Sequence, residues 1–268
     1  MATRPDIPLE TLHGQWSDAI TAALGDDLVP TDDTAPGYEH TWATRLPAGD
    51  EGAHRLLVVC PWHWAAYSHY QFWELAAIPW LARQAGYRDW CLVTNHAWTA
   101  WIPPALEGIF GRVIAADDQP IDAIRAWLTE CPERQTVRLP RDRPPGRVLL
   151  GDPTPRQTTV TLKAALGQHL GRRAITGRKV TTRQVDATLR PNVVIKDAGP
   201  EPVLIYAKSF RNPDVIHEAK MLMGRALLSP DDSRPVVVID GRWRDAPELI
   251  ARSGADVCTL DRLVELLG

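Results

Sequence analysis

The 268-residue sequence lacks several features that would place a protein in a class at once. No stretch approaches 18 uninterrupted apolar residues, and the amino terminus has no basic region followed by a hydrophobic one, so neither a membrane span nor a signal peptide is predicted. We therefore expect a cytoplasmic protein outside any membrane. No Gly-x-Gly-x-x-Gly follows a predicted strand, which argues against a Rossmann dinucleotide site, and no internal repeat is visible in the sequence.

Cysteine is also scarce. The four cysteines, at positions 60, 91, 131 and 258, are far apart and form no Cys-x-x-Cys pair. Several lie in apolar runs, so buried free thiols are favoured over disulfides or a zinc site.

Lysine is missing from the first half of the chain. Residues 1–131 hold no Lys, 7 Arg and 17 acidic residues, a net charge of -10, whereas residues 132–268 hold 23 basic and 16 acidic residues, a net charge of +7. Ten of the 11 tryptophans also lie in the first part. The sequence therefore predicts an acidic, Trp-rich domain over 1–131, a Pro- and Arg-rich linker over 132–150, and a second domain over 151–268.

The N-terminal domain alternates predicted helices and strands, which predicts an α/β layer with parallel pairing. The helices are expected over 7–24, 70–84, 103–109 and 120–129, and the strands over 40–46, 55–60, 90–94 and 112–115. Aromatic residues and histidines are concentrated in residues 62–73. We interpret these as core, with a partner surface, base stacking, or a metal set of His63, His69 and His96 as alternatives.

The C-terminal domain is predicted to begin with a helix, three strands, a second helix and a fourth strand. A third helix, a fifth strand and a closing helix follow. The helices are expected over 157–170, 214–228, 246–253 and 260–267, and the strands over 175–182, 190–196, 202–208, 235–239 and 257–259. Residues 147–150 fit either a strand or a linker.

Two neighbouring strands of this domain carry an informative pattern. The apolar runs Val193-Val194-Ile195 and Val203-Leu204-Ile205 flank a Gly-Pro turn, which is typical of adjacent strands. Arg190-Pro191-Asn192 opens the first strand and Tyr206-Ala207-Lys208 closes the second. The pattern resembles the core of the restriction-endonuclease-like PD-(D/E)xK superfamily, in which Arg-Pro-Asp opens one strand and an acidic-x-Lys triplet closes the next. The resemblance covers residues 155–260 and implies an αβββαβ nuclease fold.

What the resemblance implies about catalysis depends on two acidic residues that this sequence replaces. Such enzymes hold Mg²⁺ between carboxylates while the Lys stabilises charge at the phosphate. Here Asn192 offers only a neutral carbonyl oxygen and Tyr206 a phenol that is protonated near neutral pH. The opening helix, where many relatives place a Glu, has Gln157 and Gln168 instead. The substitutions favour a degenerate site without a metal cofactor, in which Lys208 is the surviving catalytic-type residue.

A migrated carboxylate is the alternative. Glu218 lies ten residues beyond Lys208, in the helix predicted from residue 214, and on the inner face of that helix it could approach Lys208. Asp214 is a nearer candidate. In that case Glu218 and Asp214 are the expected Mg²⁺ ligands, with Asp186 or Asp197 as further candidates. The simpler interpretation is that Glu218 pairs with Arg211, Lys220 or Arg225 on a solvated helix surface.

Basic residues around the pattern favour contact with nucleic acid, for which DNA is the first expectation. The residues singled out for that contact are Arg172, Arg173, Arg178, Lys179, Arg190 and Arg211. The wider basic set comprises Arg141, Arg143, Arg147, Arg156, Lys163, Arg183, Lys196, Lys208, Lys220 and Arg225. A solvated surface without a ligand is the alternative for these residues.

Three functions are consistent with these patterns. The first is a pseudo-nuclease that binds nucleic acid as a homodimer or as a subunit of a DNA-processing, defence or mobile-element complex. The second is a Mg²⁺-dependent endonuclease that uses Glu218, with Asn192 an inactivating replacement. The third is a protein-interaction module built on the Trp-rich domain.

Overall fold

The computed structural model describes most of the chain. The described residues are 9–25, 29–31, 42–47, 54–60, 68–94, 107–115, 120–129, 143–151, 158–171, 175–176, 180–181, 188–196, 199–210, 215–240 and 246–268. Over these residues the protein is α/β, with helices and two mixed sheets. Contacts between Cα atoms divide it into an N-terminal unit, Met1–Phe72 with Ile78–Leu139, and a C-terminal unit, Pro140–Gly268 with Trp73–Ala77.

The N-terminal unit contains a five-stranded sheet. Its elements are α1 (Leu9–Leu24), β1 (Val29–Pro30), β2 (Trp42–Pro47), β3 (His54–Val59), α2 (Ser68–Gln84), β4 (Asp89–Thr94), β5 (Val113–Ala115) and α3 (Ile121–Thr129). The strands lie in sequence order, antiparallel from β1 to β3 and parallel from β3 to β5. Residues 107–110, between β4 and β5, are also helical.

One face of this sheet is covered by α1 and α3. Alternate residues of the strands, including Leu57, Val59, Cys91 and Val93, pack against the two helices in one apolar cluster. Burial of these side chains stabilises the unit by roughly 1.5–3 kcal/mol for each large aliphatic residue.

A buried charge pair holds the end of α3 to the sheet. Arg55 Nη1 donates to the carbonyl of Trp127 at 2.8 Å, and the indole Nε1 of Trp127 donates to Asp89 Oδ2 at 2.9 Å. Arg55 and Asp89 are 2% and 5% exposed, and their charges compensate each other away from water. The Trp127 carbonyl, one of those that lack an intrahelical partner at the end of α3, is thereby satisfied.

The C-terminal unit contains a six-stranded sheet and a small two-stranded one. Its elements are β6 (Val148–Leu149), α4 (Thr159–Leu170), β7 (Ile175–Thr176), β8 (Val180–Thr181), β9 (Thr188–Leu189), β10 (Val193–Ile195), β11 (Val203–Lys208), α5 (Val215–Leu227), β12 (Arg234–Ile239), α6 (Ala246–Ala251), β13 (Asp256–Thr259), a 3-10 turn (Leu260–Arg262) and α7 (Leu263–Leu267). The large sheet has the order β6-β13-β12-β11-β10-β7, and β8 pairs with β9.

One strand of the large sheet runs against the others. β10 is antiparallel to both of its neighbours, β7 and β11, whereas β11, β12, β13 and β6 are parallel. Helix α5 connects β11 to β12, as a parallel pair requires. The carboxyl ends of β11, β12 and β13 therefore meet at one edge of the sheet.

Helices α4 and α7 cover one face of the large sheet. Leu162, Leu166 and Leu170 of α4 recur at helical spacing and pack on alternate residues of β10, β11 and β12. The Thr158 side chain accepts a hydrogen bond from the Thr161 backbone N at 3.1 Å, and this N-cap fixes where α4 begins. Gly171 ends the helix at φ 53°, a conformation that favours glycine.

Most predicted elements lie where the sequence places them, but the short strands β1 and β9 were not predicted and one expected strand of the C-terminal unit is divided. The single strand expected over 175–182 is two strands, because β7 pairs with β10 while β8 pairs with β9 in a separate sheet. Val148–Leu149, which the sequence leaves open as strand or linker, is a strand paired with β13. The aromatic residues 62–67 and most of the helix expected over 103–109 lie outside the described residues. Among the described helices, no helix has the length and apolar character needed to cross a membrane.

Candidate nucleic-acid interface at the carboxyl edge of the large sheet

Lys208 is the last residue of β11, at the edge where the parallel strands end. Its Nζ lies 2.7 Å from Oε1 of Glu218, in the first turn of α5. The two side chains are 20% and 26% exposed, so water and ions screen the pair and it contributes on the order of 1 kcal/mol. The structure thus brings together two of the four expected site residues, and Glu218 pairs with Lys208 rather than with Lys220 or Arg225.

Asn192 immediately precedes β10, on the strand beside β11. Its backbone N donates to Ile205 O at 2.8 Å, and its side-chain Oδ1 accepts a hydrogen bond from Ala207 N at 2.6 Å. The oxygen that was expected to face a metal therefore satisfies the backbone at the end of β11. Because Asn192 Oδ1 already accepts this hydrogen bond, it differs from the free oxygen that a metal ligand would offer.

Tyr206 lies in β11, two residues before Lys208, so both side chains project from the same face of the sheet. The phenol is fully buried, and its hydroxyl is 3.2 Å from Ser229 Oγ, just beyond the end of α5. Burial raises the pKa of Tyr206 to about 12. The side chain is therefore a neutral core residue, which does not fit the role of a metal ligand.

A second polar cluster lies at the same edge and escaped the sequence analysis. Ser209 Oγ donates to Asp240 Oδ2 at 2.8 Å, and Asp240 directly follows β12. Thr159 Oγ1 accepts from Ser209 N at 3.1 Å and donates to Ser209 O at 3.3 Å, which holds the amino end of α4 at this edge. Asp240 follows the apolar run 235–239, and a polar residue at the carboxyl end of a parallel strand is the signal that would have found it.

Lys163 adds a further positive charge on α4. Its pKa lies below its ordinary value because of partial burial, and next because of the positive charges of Arg225 and Lys208. The positive charges of Arg225 and Lys208 therefore repel that of Lys163. A bound anion would relieve that repulsion, which is the electrostatic condition for a phosphate contact.

The described residues do not form a Mg²⁺ cage. No group of three or more His, Cys, Asp or Glu side chains within the described ranges is placed to hold a metal ion. Glu218 is engaged by Lys208, Asp240 accepts a hydrogen bond from Ser209, and the two expected acidic positions hold Asn192 and Tyr206. Two carboxylates on separate contacts supply too few oxygens for this hard cation.

The predicted phosphate contacts are only partly described. Arg190 and Lys196 are exposed. Arg172, Arg173, Arg178, Lys179 and Arg211 lie outside the described residues, as does Asp214.

Three further members of the wider basic set are either buried or hydrogen-bonded to backbone carbonyls: Lys220, Arg143 and Arg147. Lys220 is buried at 2% exposure, so it does not belong to a phosphate-binding surface. Arg143 Nη2 donates to the carbonyl of Pro230, and Arg147 Nη2 donates to the carbonyl of Leu266, both at 2.7 Å. These arginines hold the segment before β6 against the C-terminal unit.

Comparison with known proteins adds no relative to these observations: the chain matches no protein-family model, no curated protein and no solved structure.

Proposed function

We propose that the chain binds nucleic acid, with DNA as the first candidate, through the C-terminal unit, and that it does so without hydrolysing it. The observation that carries the proposal is the carboxyl edge of the large sheet. There Lys208 is retained at the end of β11, while the two positions that would hold metal are a backbone-bonded Asn192 and a buried Tyr206.

The order of elements supports the nuclease-like fold of this proposal. If the separate pair β8 and β9 is set aside, α4 is followed by the strands β7, β10 and β11 with antiparallel pairing, then by α5 and the parallel strand β12. This is the αβββαβ order that the resemblance to PD-(D/E)xK nucleases implies. The fold then acts as a scaffold for recognition, within a homodimer or a larger DNA-processing complex.

The charges at the edge support a phosphate ligand. The positive charge of Lys208 is close enough to lower the pKa of Lys163, and Arg190 is exposed at the start of the segment that leads into β10, on the side of Lys208. Lys196 is exposed at the other end of β10, at the opposite edge of the sheet. Each phosphate that a protein cation neutralises releases counterions, so the logarithm of the affinity falls by about 0.9 per contact for each logarithmic unit of salt.

An electrophoretic mobility shift assay on duplex and single-stranded DNA, with Mg²⁺ or EDTA, tests the proposal. We expect retardation in both buffers, no cleavage products, and an affinity that falls steeply with salt. Lys208→Gln should weaken binding, whereas Arg252→Gln, a matched loss of charge at the exposed end of α6, should leave it unchanged. Absence of binding, or binding indifferent to salt, contradicts the proposal.

A second candidate, a Mg²⁺-dependent endonuclease, is favoured by one observation. Oε1 of Glu218 is 2.7 Å from Lys208 Nζ, and its other oxygen, Oε2, is buried with no hydrogen-bond partner among the described residues. That oxygen would be a metal ligand if a further carboxylate, such as Asp214, reached it. Cleavage with Mg²⁺ or Mn²⁺ that disappears in Lys208→Ala would support this function. No cleavage by the wild type or by Asn192→Asp would exclude it.

A further inference from the structure

The two units have the same strand connectivity, although no repeat is visible in the sequence. In the N-terminal unit the strands β1 to β5 lie in chain order, with two antiparallel and then two parallel pairings. In the C-terminal unit β7, β10, β11, β12 and β13 follow the same order with the same directions. The helices correspond as well, since one helix precedes the first strand, one connects the third and fourth, and one follows the fifth.

Directly paired residues define which positions of the two sheets correspond. One row of directly paired residues crosses four strands in each unit, and a second row crosses three. The first row is Pro30, Thr44, Leu57 and Cys91, which corresponds to Thr176, Val193, Ile205 and Val236. The second is Val59, Val93 and Ile114, which corresponds to Ala207, Val238 and Cys258.

The corresponding residues face the same core. Leu57, Val59, Cys91, Val93 and Ile114 pack under α1 and α3. Their counterparts Ile205, Ala207, Val236, Val238 and Cys258 pack under α4 and α7. The separation in sequence between counterparts is nearly constant from the first strand to the last, so the connecting segments have similar lengths in both units.

The last helix is held in the same way in both units. It packs through two apolar residues three positions apart, Ile124 and Trp127 in α3, and Leu263 and Leu266 in α7. The carbonyl of the second of each pair accepts a hydrogen bond at 2.8 Å from an arginine that pairs with an aspartate, Arg55 with Asp89 in one unit and Arg234 with Asp256 in the other. The arginine lies on β3 in one unit and on β12 in the other. The two units therefore hold the last helix with the same kind of contact, made from strands that do not correspond.

We infer that the two units are two copies of one fold in tandem, and that the N-terminal copy lacks the charged residue that is proposed to bind nucleic acid in the C-terminal copy. The shared register assigns Ala43, Val58 and Cys60 to the positions of Asn192, Tyr206 and Lys208. Cys60 is fully buried, so the charge at the end of β11 has no counterpart at the end of β3. Binding at the carboxyl edge therefore belongs to the C-terminal copy, an assignment that rests on the proposed function.

A crystal structure of the intact chain tests the tandem pair independently of any ligand. We expect one superposition of the two sheets to place Thr44 on Val193 and Val93 on Val238, with deviations below the rise of about 3.3 Å per strand residue. A different strand order in either sheet, or a superposition that needs a shift of one residue, overturns the inference.

Matched substitutions at corresponding positions test where binding occurs, by anisotropy titration of a labelled DNA duplex. Lys208→Gln should weaken binding about five-fold, whereas Cys60→Ala, which keeps an apolar group at a buried site, should change it less than two-fold. Equal losses in both variants overturn the assignment to the C-terminal copy. If the wild type does not bind, the proposed function and the assignment both fail, while the superposition still decides the tandem pair.

Discussion

The ion pair between Lys208 and Glu218 leads to opposite expectations for its two members. If phosphate is bound at this edge, Glu218 competes with the ligand for Lys208, and its own charge repels the ligand. Glu218→Gln should therefore strengthen binding, whereas Lys208→Gln should weaken it. A purely structural ion pair would give no gain in affinity from either change.

The magnitude follows from the distance and the exposure of the pair. A phosphate that contacts Lys208 would lie about 6 Å from the Glu218 carboxylate, where two unit charges interact by about 2–3 kcal/mol at an effective dielectric constant of 20. Because the two side chains are 20% and 26% exposed, screening reduces this to about 1 kcal/mol, or about five-fold in Kd. The double variant restores the net charge of the wild type, and its affinity should return close to that of the wild type.

Fluorescence anisotropy with a labelled duplex at about 0.1 M salt, where the Debye length is about 10 Å, measures these differences. Urea unfolding of each variant provides the control for folding, since the loss of this partly exposed ion pair should change the free energy of unfolding by no more than about 1 kcal/mol. If Glu218→Gln weakens binding, and does so only when Mg²⁺ is present, Glu218 acts as a metal ligand and the reasoning above is refuted.

Two further predictions concern Tyr206, in the core, and Thr158, the N-cap of α4. Tyr206→Phe should cost about 1 kcal/mol at pH 7, because the hydrogen bond to Ser229 is lost. Since burial raises the pKa of Tyr206 from 10 to about 12, the unfolded chain loses the phenol proton first, and the wild type should lose about 2 kcal/mol of stability as the pH rises from about 10 to 12. The Phe variant should lack this loss in urea unfolding across that range. Cys258, whose pKa is also raised to about 12, contributes equally to both proteins. Thr158→Ala should lower stability by about 1 kcal/mol through loss of the N-cap of α4, with Thr158→Ser as the variant that retains it.

Local patterns predicted most of the secondary structure. The runs Val193–Ile195 and Val203–Lys208 are apolar and flanked by turn residues, and both are strands at the expected positions. The expected strand over 175–182 failed because its two ends pair with different partners, and pairing over long distances has no local signal.

The candidate site was predicted only in part, because some of its contacts join residues far apart in the sequence and have no local signal. The approach of Glu218 to Lys208 followed from the short segment between β11 and α5. The contact of Ser209 with Asp240 joins the residues that directly follow β11 and β12, and the contact of Thr159 with Ser209 joins the start of α4 to the residue after β11. Neither is visible until the sheet order is known.

The tandem pair escaped detection because packing constrains volume and polarity more than identity. Leu57 corresponds to Ile205, Cys91 to Val236 and Ile114 to Cys258. Each exchange keeps an apolar side chain on the same face, and cores accept such exchanges when the total volume is preserved. Register therefore reveals a correspondence that residue identity does not.

The short strand β6 gives the C-terminal unit a distinct order of assembly. It is the first strand of the unit in sequence, yet it pairs with β13, the last. Contacts on either side of it, from Arg147 N to Asp256 Oδ1 and from Gly151 N to Thr259 Oγ1, also join the two ends of the unit. Closing so long a loop costs entropy before the contacts form, so this edge is completed only when nearly the whole unit has been synthesised. Until β13 has been synthesised, β6 has no partner in the sheet. In the finished sheet β6 covers the edge of β13, which would otherwise be open to pairing with another chain.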